Sequence, residues 1–331
     1  MLNGLCELMS TEFSNIKLLQ VAVGVVKNSE GKVLISLRNH ALHQGGLWEF
    51  PGGKIEAAET AEQALARELK EELDITVIAA TPLITVIHQY TDLAVQLNVF
   101  IIDHFSGEAT SCEAQPFKWV NLDELSQYRF PAANQPIITA AQLPRYYAIL
   151  VDADESLLLS NLQKILDRGV KLIQARIKML PLKAVEAFVE QAYPLCRQYD
   201  ALLLINSAVE NAEKFAVDGI HLTSRHLMAS TKRPKLPDGT CKHRQWIAAS
   251  CHNSEELQHA QRIGVDFVVL SPVLSTRTHP GTEQLGWQQF AQLVAKVNLP
   301  VYALGGLSES NLITTLEAGG QGIAAIRAFL N

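Results

Sequence analysis

The chain reads as an α/β protein in two modules, a mixed sheet with helices packed on it followed by a (β/α)8 barrel. Three observations predict this. Short β-branched runs crowd the first 120 residues, one acidic amphipathic helix interrupts them, and beyond Pro144 apolar runs recur at even spacing with helical patterns between them. The expected domains are residues 17–143 and 145–331.

Taken in order, runs 19–26 and 33–38 flank Asn28-Ser29-Glu30-Gly31, a turn signal, and read as paired strands. A glycine-rich loop, Phe50-Pro51-Gly52-Gly53-Lys54, then leads to a helix over 61–73. Thr60 and Gln63 have the spacing of a capping box at its start. At its end Asp74 stands where the chain turns left-handed, which costs an aspartate about 1 kcal/mol relative to glycine. Runs 83–90, 93–103 and 117–120 supply further strands.

In the second half the apolar runs are 146–151, 170–176, 201–206, 219–222, 246–250, 267–270, 301–304 and 322–326. Helical patterns at 157–167, 182–199, 254–263, 287–296 and 309–317 separate most of them. Continuous hydrophobic strands alternating with helices make a parallel barrel, whose site lies at the carboxyl ends of the strands. The last run ends so near Asn331 that the closing helix is expected to be missing or a single turn.

Composition narrows the class. Of 331 residues 48% are hydrophobic, enough for packed cores, and the net charge of -6 argues against general affinity for nucleic-acid polymers. Cys6, Cys112, Cys196, Cys241 and Cys251 are scattered without metal or pair spacing, which suits reduced thiols. No basic leader and no apolar run of spanning length is present, so a cytoplasmic protein is expected.

The acidic helix carries the chemistry. Glu68, Glu71 and Glu72 fall on one face at i, i+3 and i+4, where their repulsion calls for a cation. Mg²⁺, with Mn²⁺ as a substitute, prefers such oxygens and bridges proteins to phosphates, so the segment predicts a diphosphate-handling site.

Gly53, five residues, Glu59, seven residues and Arg67-Glu68-Leu69-Lys70-Glu71-Glu72-Leu73-Asp74-Ile75 resemble the Nudix hydrolase box at every fixed position except Asp74. Segments 19–24, 47–56 and 130–136 extend the likeness to the MutT-type 8-oxo-guanine nucleotide diphosphatases. The resemblance implies a Nudix α/β/α sandwich and Mg²⁺-dependent release of a nucleoside monophosphate and pyrophosphate, in the service of DNA replication and repair. It implies Glu68, Glu71, Glu72 and the Gly52 carbonyl as metal ligands, and Glu68, Glu71 or Glu113 as the base. Glu59 and Arg67 would orient the glutamates. Asn134 would meet the oxidised purine, although it could equally cap the following helix. Phe50 would wall the base, and Arg38, His43 and Glu49 would contact the nucleotide.

In the second module Gln174-Ala175-Arg176-Ile177-Lys178, Asn206, His221, Ser250-Cys251-His252, Thr276-Arg277-Thr278 and Gly305-Gly306 follow successive strands. This ordered set is similar to the superfamily of thiamine phosphate synthases and TenI-like thiazole tautomerases. It implies that Gln174, Arg176, Lys178 and Asn206 meet a pyrimidine diphosphate, and that Thr276, Thr278 and the Gly305 and Gly306 amides hold a thiazole phosphate. The chain departs from the synthase pattern at Ser207 and His226, where metal-binding aspartates are expected, and at His279, where a catalytic lysine is expected. These departures argue against synthase chemistry. His252 matches the proton shuttle of the tautomerase branch. The rival reading has the first module hydrolyse the diphosphate of a thiamine precursor, with the barrel a tautomerase or a non-catalytic binder of thiazole phosphate.

Overall fold

The computed structural model describes residues 18–41, 44–91, 93–235, 245–275 and 283–330. The chain divides into two compact units between Ile138 and Thr139. That division lies inside a helix, a few residues before the expected boundary.

The first unit runs β1 (Leu18–Val26), β2 (Val33–Leu37), β3 (Trp48–Glu49), β4 (Gly52–Lys54), α1 (Ala61–Leu73), β5 (Thr76–Gln89), β6 (Ala94–Ser106) and β7 (Phe117–Val120). Two short 3-10 helices, Leu122–Gln127 and Ala132–Asn134, precede α2 (Gln135–Gln142), the helix in which the division falls. A mixed sheet has the order β4-β1-β6-β5, with β1 parallel to β6 and antiparallel to β4.

The expected pairing of the first two strands is corrected. Both edges of β1 are taken by β4 and β6, so β2 joins it only through a bridge from Lys27 to Val33 and instead forms a second sheet, β3-β2-β7. The fifth strand also starts at Thr76 rather than near 83. Its register shifts on both sides of Pro82, and those bulges accommodate a residue that cannot donate to a ladder.

Helix α1 begins and ends as its sequence dictates. The Thr60 side chain accepts from the Gln63 backbone, Gln63 returns the bond to the Thr60 N–H at 2.8 Å, and Asp74 is left-handed at φ 55°. Ala64, Leu65, Leu69 and Leu73 are buried, and a Cβ at Gly24 of β1 would come within 3.2–3.4 Å of Ile102, Leu65 and Leu69. The helix therefore lies close on the sheet, with its glutamates on the other side of this apolar stripe.

The second unit contains β8 (Tyr146–Val151), α3 (Glu155–Asp167), β9 (Leu172–Arg176), α4 (Leu182–Gln198), β10 (Leu202–Asn206), β11 (Gly219–Leu222), α5 (Ser224–Ala229) and β12 (Trp246–Cys251). It continues with α6 (Ser254–Ile263), β13 (Phe267–Leu270), α7 (Gly286–Val294), β14 (Val301–Leu304), α8 (Leu312–Glu317) and β15 (Gly322–Ala325). The eight strands close as a parallel barrel in which β15 pairs with β8. Helix α5 has no counterpart in the sequence reading, because six residues are too few to display a helical period.

The barrel has two apolar layers. Tyr147, Phe267 and Tyr302 fill the interior with each ring centroid 5.6 Å from the next, while Leu158, Phe188, Leu257 and Phe290 seal the helices against the outside of the strands. Cys196 and Cys251 are buried free thiols and Cys112 is an exposed one. Among the described residues no helix is long and apolar enough to cross a membrane.

The left-handed Asp74 generates a stability prediction. Asp74→Gly should raise the unfolding free energy of the first unit by up to about 1 kcal/mol, and Asp74→Val should lower it by at least that much, since a β-branched residue resists positive φ. Urea unfolding of the two variants checks the signs; equal stabilities would refute the strain.

Candidate functional site

In the first unit one guanidinium organises the acids. Arg67 binds Glu59 at 2.8 Å, Glu68 at 2.9 Å and Glu71 at 3.3 Å, and donates to the Lys54 carbonyl at 3.1 Å. These hydrogen bonds hold the Glu59 carboxyl below the usual carboxylate range. Glu68 lies directly over the glycine loop, for a Cβ at Gly53 would fall 2.1 Å from its carboxyl carbon. Glu71 stands outermost, with 57% side-chain exposure against 18% for Glu68.

Glu72 is different. Burial, then the charges of Glu68 and Glu49, push its carboxyl up to about 8; the Gly52 N–H opposes this and Glu113 adds to it. Glu113 reaches the cluster because its loop is pinned to the end of α1, where Cys112 N–H donates to the Glu72 carbonyl and Thr110 N–H to that of Leu73, each at 2.9 Å.

The segments flanking the glycine loop and the turn before α2 meet through aromatic pairs. Phe50 stacks on Phe130 with centroids 5.6 Å apart, and Trp48 meets Tyr128 edge-on at 5.4 Å. A hydrogen bond between the Tyr90 hydroxyl and the Ala133 backbone ties β5 to the turn bearing Asn134. Asn134 is only 8% exposed, and among the described residues its side-chain amide has no hydrogen-bond partner. It closes a 3-10 turn rather than capping α2 with its side chain. Arg38 pairs with Glu49 across β2 and β3, and burial raises the Glu49 carboxyl. His43 lies outside the described residues.

At the barrel mouth the predicted residues divide into two groups. Gln174 and Asn206 are buried and bonded to each other, the Asn206 amide donating to Gln174 at 3.0 Å. Arg176 and Lys178 leave the end of β9, and Lys178 is exposed. Gly305 and Gly306 have φ of 110° and 67°, and a Cβ on Gly306 would lie 2.3 Å from the Ser275 carbonyl, so only glycine permits this approach. His252 donates from Nδ1 to the Ser271 carbonyl at 2.9 Å, which leaves Nε2 as the free proton acceptor of the neutral ring. Thr276, Thr278 and His279 lie outside the described residues.

The profile of the family described as "NUDIX domain" matches residues 22–140, and that described as "Thiamine monophosphate synthase" matches residues 146–329. The first stretch is 37% identical to the 8-oxo-dGTP diphosphatase of Escherichia coli, over 37% of this chain and 95% of that one. The chain belongs to both families. Its second stretch is 32% identical to a thiamine-phosphate synthase of Bacteroides thetaiotaomicron, over 48% of this chain and 77% of that one. A solved thiamine phosphate pyrophosphorylase of Pyrococcus furiosus is 25% identical over 55% of this chain and 85% of its own, with a TM-score of 0.45.

The Nudix domain suits a divalent ion by donor chemistry. Hard carboxylate oxygens of Glu68, Glu49 and Glu113 act on Glu72, and the rise of its carboxyl to about 8 reflects burial first and then their negative charge. As the side chains stand, no three His, Cys, Asp or Glu among the described residues are grouped to hold an ion, because Arg67 draws Glu68 and Glu71 to itself.

Sequence reasoning missed a polar chain through the synthase-family barrel. Gln174 donates to the Tyr147 oxygen at 3.1 Å, so the Tyr147 proton goes to His221 Nδ1 at 3.0 Å and His221 Nε2–H donates to Ser250 at 2.8 Å. The only available signal was a histidine and a tyrosine within otherwise apolar strand runs.

Two predictions follow from these geometries. Gly53→Ala should fold normally while displacing the flexible Glu68 carboxyl, weakening Mn²⁺ binding about 10-fold by electron paramagnetic resonance; unchanged binding would remove Glu68 from the site. Burial, then Arg176 and Lys178, lower His221 to about 3 from 6.5. Because the folded value is the lower one, the stability contribution is complete above about 6.5 and is lost as pH falls toward about 3, by up to about 1.4 kcal/mol per pH unit. Urea unfolding of wild type and His221→Gln should therefore converge on acidification, and parallel curves would contradict a neutral buried imidazole.

Proposed function

We propose that the Nudix domain hydrolyses 8-oxo-dGTP to 8-oxo-dGMP and pyrophosphate, cleansing the nucleotide pool of a cytoplasm. The observation that carries this reading is Asn134, a nearly buried residue whose side-chain amide has no hydrogen-bond partner among the described residues and could meet a purine edge. Arg38, His43 and Glu49 would contact the rest of the nucleotide.

Glu72, Glu68, Glu71 and the Gly52 carbonyl would hold Mg²⁺. When bound, the ion would supply positive charge against the phosphate oxygens. Water attacks the phosphorus bearing the nucleoside, the bond to the bridging oxygen breaks, and the proton of the water passes to a carboxylate. Glu113 is the favoured acceptor, because Arg67 engages Glu68 and Glu71 whereas Glu113 has no ion pair or hydrogen bond among the described residues.

For the barrel, the Nε2 lone pair left by the His252 bond to Ser271 supports proton shuttling on a phosphate-bearing heterocycle such as a thiazole phosphate. Loss of the acidic positions at Ser207 and His226 weighs against synthase chemistry.

Turnover by the intact protein tests the first reading. Glu72→Gln should reduce kcat/KM by at least about 10²-fold with chelation abolishing activity, and Asn134→Ala should erase the preference for 8-oxo-dGTP over dGTP. Faster hydrolysis of a pyrimidine diphosphate than of 8-oxo-dGTP would transfer the assignment to a thiamine precursor.

A further inference from the structure

The synthase family implies a divalent ion at the barrel mouth, and the side chains there do not fit one. Ser207 Oγ accepts the Thr223 N–H at 2.9 Å and shares a hydrogen bond with His226 Nδ1, also at 2.9 Å. The two residues standing where acidic ligands are expected therefore satisfy each other. Neither offers the carboxylate oxygen that Mg²⁺ prefers. One oxygen of Asp152 accepts from the Met179 N–H at 2.8 Å.

What the mouth does offer is positive charge and N–H donors. Arg176 ends β9 beside the end of β10, and Lys178 follows it by two residues. Among the described residues neither has an ion pair or a hydrogen bond. Both act on the same buried His221, which places their charges near one another at this end of the barrel. Partial desolvation and then Arg176 push the Lys178 amine below its usual range, with Asp152 opposing. His226, engaged with Ser207 through Nδ1, presents Nε2 as a third donor in the tautomer that carries its proton there.

Charge then selects the ligand. Two fixed cations balance a phosphate monoester, which carries about -1.5 to -2 at neutral pH. A diphosphate brings roughly one charge more and would need the metal that these residues cannot hold.

We infer that the barrel mouth binds a phosphate monoester directly through Arg176, Lys178 and His226, without a divalent cation, and does not take a metal-assisted diphosphate. This rests on reading the mouth as a phosphate-ester site, and anion binding succeeds or fails independently of proton transfer at His252.

The test is a ³¹P NMR titration of the intact protein carrying Glu72→Gln, which disables the other domain's acid cluster. Inorganic phosphate and inorganic pyrophosphate are each added in EDTA and then in Mg²⁺. Saturable phosphate binding in EDTA is expected, weakened at least about 10-fold by Arg176→Ala and by the exposed Lys178→Met, with Mg²⁺ leaving the pyrophosphate affinity within about 3-fold. The double variant Ser207→Asp, His226→Asp should acquire Mg²⁺-dependent pyrophosphate binding. Absence of saturable phosphate binding in EDTA, or pyrophosphate binding that requires Mg²⁺ and is lost with Arg176→Ala, overturns the inference.

Discussion

The first site depends on a single cation placed among too many acids. Arg67 touches Glu59, Glu68 and Glu71 and also the Lys54 carbonyl. It fastens the glycine loop to the helix while absorbing much of the repulsion that three glutamates on one face would generate. The one it leaves out is Glu72, buried and faced by Glu49, Glu68 and Glu113. Rigid support and an uncompensated carboxylate thus arise from the same arrangement, and a site intended for a divalent ion requires both.

The barrel solves a related problem with the opposite sign. Its interior holds a connected polar chain, from Asn206 through Gln174, Tyr147 and His221 to Ser250. Each donor has a defined direction, which fixes His221 as a neutral ring and leaves the Ser250 proton free to point onward. Charge is kept out of the core and appears where the strands end, at Arg176 and Lys178. An unpaired charge inside would carry a desolvation penalty that no contact there offsets.

What was legible in the sequence was whatever is written locally. The ends of α1 were readable from Thr60, Gln63 and Asp74 because caps are decided by neighbouring residues, and most barrel strands were readable because a strand covered on both faces is a continuous apolar run. Pairing was not. The turn at 28–31 joins β1 and β2 in sequence, yet β1 spends its edges on β4 and β6, a competition that only the assembled sheet decides. The candidate ligands Glu68, Glu71 and Glu72 were visible as a face, but the face did not show that Arg67 would engage two of them and exclude the third. The bonding from Tyr147 to Ser250 was invisible for the same reason: Gln174, His221 and Ser250 stood out singly, but their partners come from different strands and Tyr147 looks unremarkable in its own run.

Both domains belong to families that act on phosphorylated small molecules, and they present two different electrostatic answers to a phosphate. A surplus of carboxylate repels a phosphate unless a multivalent cation intervenes, so on the proposed reading the Nudix site would work through an ion. The proposed pair of cations, Arg176 and Lys178 with Asp152 acting on Lys178, would meet the anion directly. In the inferred site Ser207 and His226, bonded to each other, supply no carboxylate on that side of the mouth, and Arg176 and Lys178 would meet the phosphate itself.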